Sequence, residues 1–185
     1  MSRKEARGEL MNMRDCVVRR AQLEDLTTLV NFNQALAQEA RDEKLNPQLL
    51  TQGIEGVLSD SNRGFYTVVE LESKTVAVAL VTFEWSDWRN AWFWWLQDVY
   101  VELNYRQQGI FRFLYTHLKT EAQTANVCGL RLYVYKGNTK AQEVYRKMGM
   151  NSSNSLIFEE FLLNKGIIGH CRTLCIVLTL FNILL

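Results

Sequence analysis

Val99 to Tyr115, VYVELNYRQQGIFRFLY, is the stretch whose reading decides the fold. The apolar run ahead of it, WFWWLQDVYV, has the content of a strand and stops at Glu102. A polar turn follows, Leu103 to Gln108, with Arg106 inside it. Gly109 then opens a helix whose apolar residues Phe111, Leu114, Tyr115 and Leu118 recur at helical spacing. A strand that passes through a tight basic turn into a helix aims several backbone N–H groups at one spot. The helix N-terminus adds about half a positive charge there. Such a turn can cradle a pyrophosphate. It is not a P-loop, because no Lys-Ser or Lys-Thr pair follows the glycine. Nor is it a dinucleotide fingerprint, because Gly109 stands alone. What remains is R-x-x-G-x-x, spelled Arg106-Gln107-Gln108-Gly109-Ile110-Phe111.

Upstream, Cys16 to Ala21 has strand character, and Glu24 and Asp25 fall in the first turn of a helix, where negative charge suits the dipole. Leu26, Leu29, Val30, Asn33, Ala37 and Ala40 continue that helix, with Asn33 and Glu39 as its polar residues of interest. Asn46-Pro47 is an N-cap followed by proline at the first helical position. A meander of three strands follows: Phe65 to Leu71, Val76 to Trp85 and Ala91 to Val101. The last of these is apolar on both faces over much of its length, as a central strand is. Downstream of the loop helix come a strand over Gly129 to Val134, a helix ending at Gly149, and a final strand over Leu156 to Phe161. That last helix carries N-x-x-A-x-x-x-Y-x-x-x-G-M, with Asn138 and Tyr145 about two turns apart and on one face.

The loop, the Asn138/Tyr145 helix and the order of strands resemble the GCN5-related N-acetyltransferases (GNAT), over about Val17 to Phe161. The chain departs from that family's pattern at Phe111, where glycine or alanine is usual, and at Gln97, where some polyamine-directed relatives have glutamate. The resemblance implies an α/β (α+β) fold: a mixed, mostly antiparallel sheet with splayed central strands, flanked by helices. It implies acetyl-CoA as co-substrate in the gap between those strands. The backbone of Val99, Tyr100 and Val101 would bond the pantetheine and the thioester oxygen. Residues Gln107, Gln108, Gly109, Ile110, Phe111 and Arg112 would hold the pyrophosphate, with Arg106 orienting the loop. Asn138 would bond the pantetheine arm, and Tyr145 would protonate the leaving thiolate. A neutral amine would attack the acetyl carbonyl directly.

Asp98 and Gln97 lie beside the expected acetyl group. Asp98 is a candidate for relaying the amine's proton or binding the acceptor, weighed against a carboxylate that merely braces the loop. Glu39 is a candidate acceptor contact, weighed against a solvated side chain. All five tryptophans fall between Trp85 and Trp95. Cross-strand packing accounts for some of them. Trp85, Asp87 and Trp88 also suit a cationic amine, since aromatic faces attract cations by roughly 0.5–2 kcal/mol per contact.

The formal net charge of +1 carries no global signature for nucleic acid. Cys16, Cys128, Cys171 and Cys175 read as free intracellular thiols, and His117 and His170 are far apart, so no metal site is expected. Residues 1–15 lack an apolar signal core and read as a disordered lead-in, followed by the acetyltransferase domain over 16–163. Residues 164–185 form an atypical hydrophobic tail. Its apolar part is about 13 residues, short of the roughly 20 that span a bilayer. The tail is open to three readings: an extra packed element, a marginal membrane anchor, or an atypical, poorly ordered end. The chain as a whole reads as a cytoplasmic acetyl-CoA-dependent N-acetyltransferase for a small amine, with membrane association through the tail as the alternative location. An exposed last strand permits a homodimer. The alternative functions are an acyl-CoA-binding regulatory module without turnover, and acetylation of protein N-termini or lysines.

Overall fold

The computed structural model describes residues 15–160 and residue 162. The N-terminal lead-in up to residue 14 and the tail over 164–185, with His170, Cys171 and Cys175, lie outside the described residues. The elements run β1 (Cys16–Arg20), α1 (Leu26–Arg41), α2 (Pro47–Ser59), β2 (Phe65–Leu71), β3 (Lys74–Ser86), β4 (Ala91–Val101), α3 (Ile110–Thr124), β5 (Gly129–Arg131) and α4 (Thr139–Lys147). They build one five-stranded sheet in the order β1-β2-β3-β4-β5. The first four strands are antiparallel, and β5 lies parallel to β4. The sheet is flanked by helices, with α1 against β3 and β4 and α3 against β2, β4 and β5.

Local chemistry explains the elements. Val76 to Val81 are buried without alternation, because this part of β3 is covered on both faces. Asn46 accepts the Leu49 N–H at 3.1 Å and caps α2, with Pro47 at the position that needs no N–H. Ile110, Leu114 and Leu118 repeat every four residues and pack α3 into the core.

Two irregularities shape β4. Opposite β3, Tyr100 pairs with Val78 and Gln97 with Leu80, so Asp98 and Val99 together face Ala79. This is a β-bulge, and it puts Asp98 at φ +46°. Opposite β5, pairing runs from Phe93/Gly129 to Trp95/Arg131 and goes no further. Beyond Trp95 the two strands part, while β4 continues to Val101. The sheet therefore opens as a wedge toward the C-terminal end of β4.

Two expectations need correction. The strand read over 129–134 is regular only over Gly129–Arg131, because the chain leaves β4 where the wedge opens. The final strand read over Leu156 to Phe161 is absent among the described residues: residues 155–160 carry no regular structure, and Phe158 is 91% exposed. Strand propensity needs a partner edge to act on, and no described strand pairs with this segment.

Candidate functional site

The turn after β4 carries the backbone conformations that its sequence asks for. Gln107 sits at φ +62° and Gly109 at φ +89°, ψ 0°. Gly109 is the N-cap of α3 and offers no side chain to cap it, so the first N–H groups of the helix are left to an outside acceptor. A Cβ at Gly109 would meet nothing within 4 Å. The glycine is therefore demanded by its backbone angle rather than by lack of room. Gln108 folds back and donates to the Asn104 carbonyl at 2.8 Å. Phe111 turns inward: it is buried, with ring centroids 6.2 Å from Tyr115 and 6.0 Å from Tyr145. Its bulk thus lies away from the exposed turn at 107–109, and Arg112 is an exposed cation on the first turn of α3.

Arg106 behaves differently from the residues around it. Its side chain is buried, and Nε donates to the Val101 carbonyl at 2.8 Å. Nη2 lies 3.1 Å and 2.9 Å from the two Glu39 oxygens, and Tyr100 donates its hydroxyl to Glu39 at 3.0 Å. Glu39 is thus engaged by the loop and by β4, and Arg106 is an internal cation.

On α4, Asn138 is the N-cap, its Oδ1 accepting the Ala141 N–H at 3.0 Å. Its Nδ2 is buried and has no hydrogen-bond partner among the described residues, and neither has the buried Tyr145 hydroxyl. Each such group costs about 1–3 kcal/mol when left unsatisfied. Burial raises the Tyr145 pKa far above the ordinary phenol range, so the hydroxyl keeps its proton. The T-shaped contact with Phe111 sets Tyr145 beside the first turn of α3. Tyr145 is thus the residue of the pair that meets α3, while Asn138 caps its own helix. The sequence reading missed the capping role of Asn138; Asn directly before a helix is the signal that would have found it.

Asp98 stands at the bulge. Desolvation alone pushes its carboxyl from 3.8 up to about 6. Tyr66 is close enough to feel the Asp98 charge and lies near Asn33, which is buried and donates to the Leu29 carbonyl at 2.9 Å. Gln97 donates to the Thr82 hydroxyl. Tyr66 was out of reach of motif reasoning as a neighbour of Asp98, since two separate strands bring them together.

Trp85, Asp87 and Trp88 lie at the other end of β4, around the turn between β3 and β4. Trp85 packs edge-on to Trp92 at 5.0 Å, Asp87 accepts the Trp88 N–H at 2.8 Å, and Trp88 is 91% exposed. At a rise of about 3.4 Å per residue, this end is roughly 20 Å from the bulge. Nearer the bulge lies a half-buried group that the tryptophan count obscured. Trp95 stacks on Tyr133 at 4.4 Å and donates to Glu84 at 2.6 Å, and Arg131 donates to the same carboxylate at 2.5 Å. Alternation along β3 (Thr82, Glu84) and β4 (Trp95, Gln97) is the signal that places these residues on one face.

Among the described residues no group of three His, Cys, Asp or Glu is placed to hold a metal ion. No described helix is long and apolar enough to cross a membrane.

Residues 26–150 match the model of the acetyltransferase (GNAT) family. A possible acetyltransferase from Clostridium difficile 630 is 37% identical, with a TM-score of 0.77 over 80% of this chain and 99% of that one. A predicted acetyltransferase from Clostridium acetobutylicum, solved with acetyl-CoA, is 20% identical, with a TM-score of 0.65 over 84% and 99% of the two chains. An aminoglycoside acetyltransferase from an uncultured soil metagenomic sample, solved with sisomicin, is 16% identical, with a TM-score of 0.66 over 83% and 100%. No curated protein matches the sequence.

Proposed function

The chain belongs to the acetyltransferase (GNAT) family, and on that premise we propose that it transfers acetyl from acetyl-CoA to a primary amine on a small, cationic molecule by direct attack. The observation that carries this reading is the pair of buried polar groups on α4, Asn138 Nδ2 and Tyr145 OH, that no described residue satisfies, with Tyr145 against Phe111 at the start of α3. Buried polar atoms in folded proteins are nearly always satisfied. A pantetheine amide and a thioester sulfur are the acceptors that would satisfy these two. The relative solved with acetyl-CoA supports the same choice of co-substrate. The turn fits the other end of that molecule: uncapped N–H groups at α3, the exposed turn at 107–109 and Arg112 suit a pyrophosphate.

Acetyl-CoA, when bound, supplies the activated acetyl thioester. The chain's own groups handle the protons. An attacking amine must be neutral, and Asp98, with its pKa pushed to about 6, is ionised at neutral pH and still basic enough to accept a proton directly or through water. The bulge frees backbone groups around Asp98 and Val99 from pairing with β3, and a freed N–H there suits the oxygen on which charge develops. Tyr145 stays protonated and offers its O–H to the sulfur as negative charge grows. The burial that raises the phenol pKa also raises that of a thiolate beside it, which keeps the proton transfer from running steeply uphill. The acceptor's cationic character is supported by Asp98, with the exposed aromatic and acidic side chains of Trp85, Asp87 and Trp88 farther along the sheet.

The test is thiol release from acetyl-CoA over a panel of polyamines, amino acids, aminoglycosides and peptides, with Tyr145→Phe run alongside. Turnover with small polycationic amines is expected, with kcat in Tyr145→Phe lower by about 10²-fold. Full turnover in Tyr145→Phe would remove the tyrosine from its acid role. Acetyl-CoA binding without release over the whole panel would favour a regulatory acyl-CoA-binding module.

A further inference from the structure

We infer that Glu39 is a positioning residue for the acyl-CoA loop and acts through Arg106. The inference rests on the reading of the loop as an acyl-CoA site.

Glu39 is placed against local preference. It lies in the last turn of α1, which ends at Arg41, and the negative end of a helix dipole repels a carboxylate. What holds it is tertiary. Two of its partners come from elsewhere in the chain, Arg106 Nη2 at 2.9 Å and the Tyr100 hydroxyl at 3.0 Å. A residue kept where its own helix disfavours it is answering to the fold or to function.

Arg106 explains what is answered. Its buried guanidinium bonds the carbonyl of Val101, the last residue of β4, at 2.8 Å and lies 5.2 Å from the Tyr100 ring centroid. The contact ties the end of the strand to the residue that enters the turn toward Gly109. The direction of the backbone groups at Val101 and beyond is fixed by that tie. A buried guanidinium holds its place only when its charge is compensated, and Glu39 is the carboxylate that compensates it. Glu39 therefore decides whether Arg106 stays inside, and Arg106 decides how the turn is aimed. With its charge taken up by Glu39, Arg106 is not the cation that meets an incoming pyrophosphate. The helix N–H groups and Arg112 are left to do so.

The test uses the full chain and the variants Glu39→Gln, Arg106→Gln, the double variant and Tyr100→Phe. Each is read by steady-state kinetics in both substrates and by direct titration with acetyl-CoA. Glu39→Gln is expected to raise KM for acetyl-CoA about tenfold, with kcat within twofold and the acceptor KM unchanged. The double variant is expected to be no worse than Arg106→Gln alone, because the two residues act as a unit. Tyr100→Phe removes one hydrogen bond and leaves both charges, so a two- to threefold rise is expected and serves as the milder variant if the charge changes unfold the protein. A rise in acceptor KM with acetyl-CoA KM unchanged in Glu39→Gln would overturn the inference and make Glu39 an acceptor contact. Additive effects in the double variant would overturn it too. A wild-type chain that binds no acetyl-CoA would instead sink the underlying reading of the loop.

Discussion

The turn at Arg106–Gly109 and the hairpin tip at Trp85–Asn90 have equally conspicuous sequences, but β4 carries them to opposite ends of the sheet. The first lies where β4 has left β5, and the second lies at the end where the two strands are still paired or have yet to meet. At the turn, the proposed ligand-binding capacity is a property of the backbone: positive φ at Gln107 and Gly109, and a helix start with no side-chain cap. At the tip it is a property of side chains, with Trp88 standing 91% exposed and Trp85 packed on Trp92. A binding surface made of backbone is anchored by the fold. One made of exposed aromatics has little except its chemistry to recommend it.

The comparison is sharpened most by the residue at the wedge itself. Asp98→Asn keeps a side chain that tolerates positive φ and removes the proposed proton acceptor. A loss of about 10²–10³-fold in kcat/KM is expected. In the wild type the rate should rise with pH through about 6 as Asp98 ionises, and that limb should vanish in the variant. Stability moves the other way. The folded carboxyl holds its proton to about 6, whereas an unperturbed one releases it near 3.8. The folded state therefore binds more protons between those values, and stability falls as pH rises through that window. Asp98→Asn should be more stable than wild type at pH 8 by about 1–3 kcal/mol and show no gain at pH 3.5, by urea unfolding at both pH values. Equal pH profiles for the two proteins would make Asp98 a brace for the bulge.

Gly109→Val tests the claim that the turn binds through its backbone. Valine at φ +89° is strained by about 1–2 kcal/mol, but nothing lies within 4 Å for a Cβ to strike. A drop in melting temperature of a few degrees is expected, together with a loss of at least tenfold in acetyl-CoA affinity by titration calorimetry. A collapse of stability with affinity retained in the folded fraction would make Gly109 a packing residue.

These residues also mark what could be read in advance. The loop and the Asn138/Tyr145 helix were legible because each is local. A glycine after a strand and an asparagine with a tyrosine two turns on are encoded within a few residues of one another. The strand order followed from hydrophobic period and turn residues, and the chain covers nearly all of a relative of the same fold. The rest depends on pairing across distance. The bulge at Asp98 is hidden inside a run that is apolar on both faces, so no break in alternation announces it. Glu39 could be flagged as polar on a helix, but its engagement by Arg106 joins residues from two elements far apart in sequence. Leu156 to Phe161 has strand composition, but residues 156–160 pair with no described strand, so composition alone misleads there.

The smallest effect is expected at the hairpin tip, and it separates short acceptors from long ones. Trp88 has almost no packing to lose, so Trp88→Ala should change stability by no more than about 0.5 kcal/mol. For an acceptor the size of a short diamine, whose reacting nitrogen is proposed to lie at the bulge, the tip is out of reach. Its KM should change less than twofold, since roughly 20 Å of strand separates the two places. An extended polyamine or a peptide can bridge that span and set a distal ammonium or an aromatic group against Trp85 and Trp88. The same substitution would then raise KM for the long acceptor and leave the short one alone. Pairwise KM ratios for a short and a long amine, in wild type and Trp88→Ala, therefore measure how far the acceptor extends. A rise for the short diamine would break the contrast between turn and tip, because it would place the tip within reach of the reacting nitrogen.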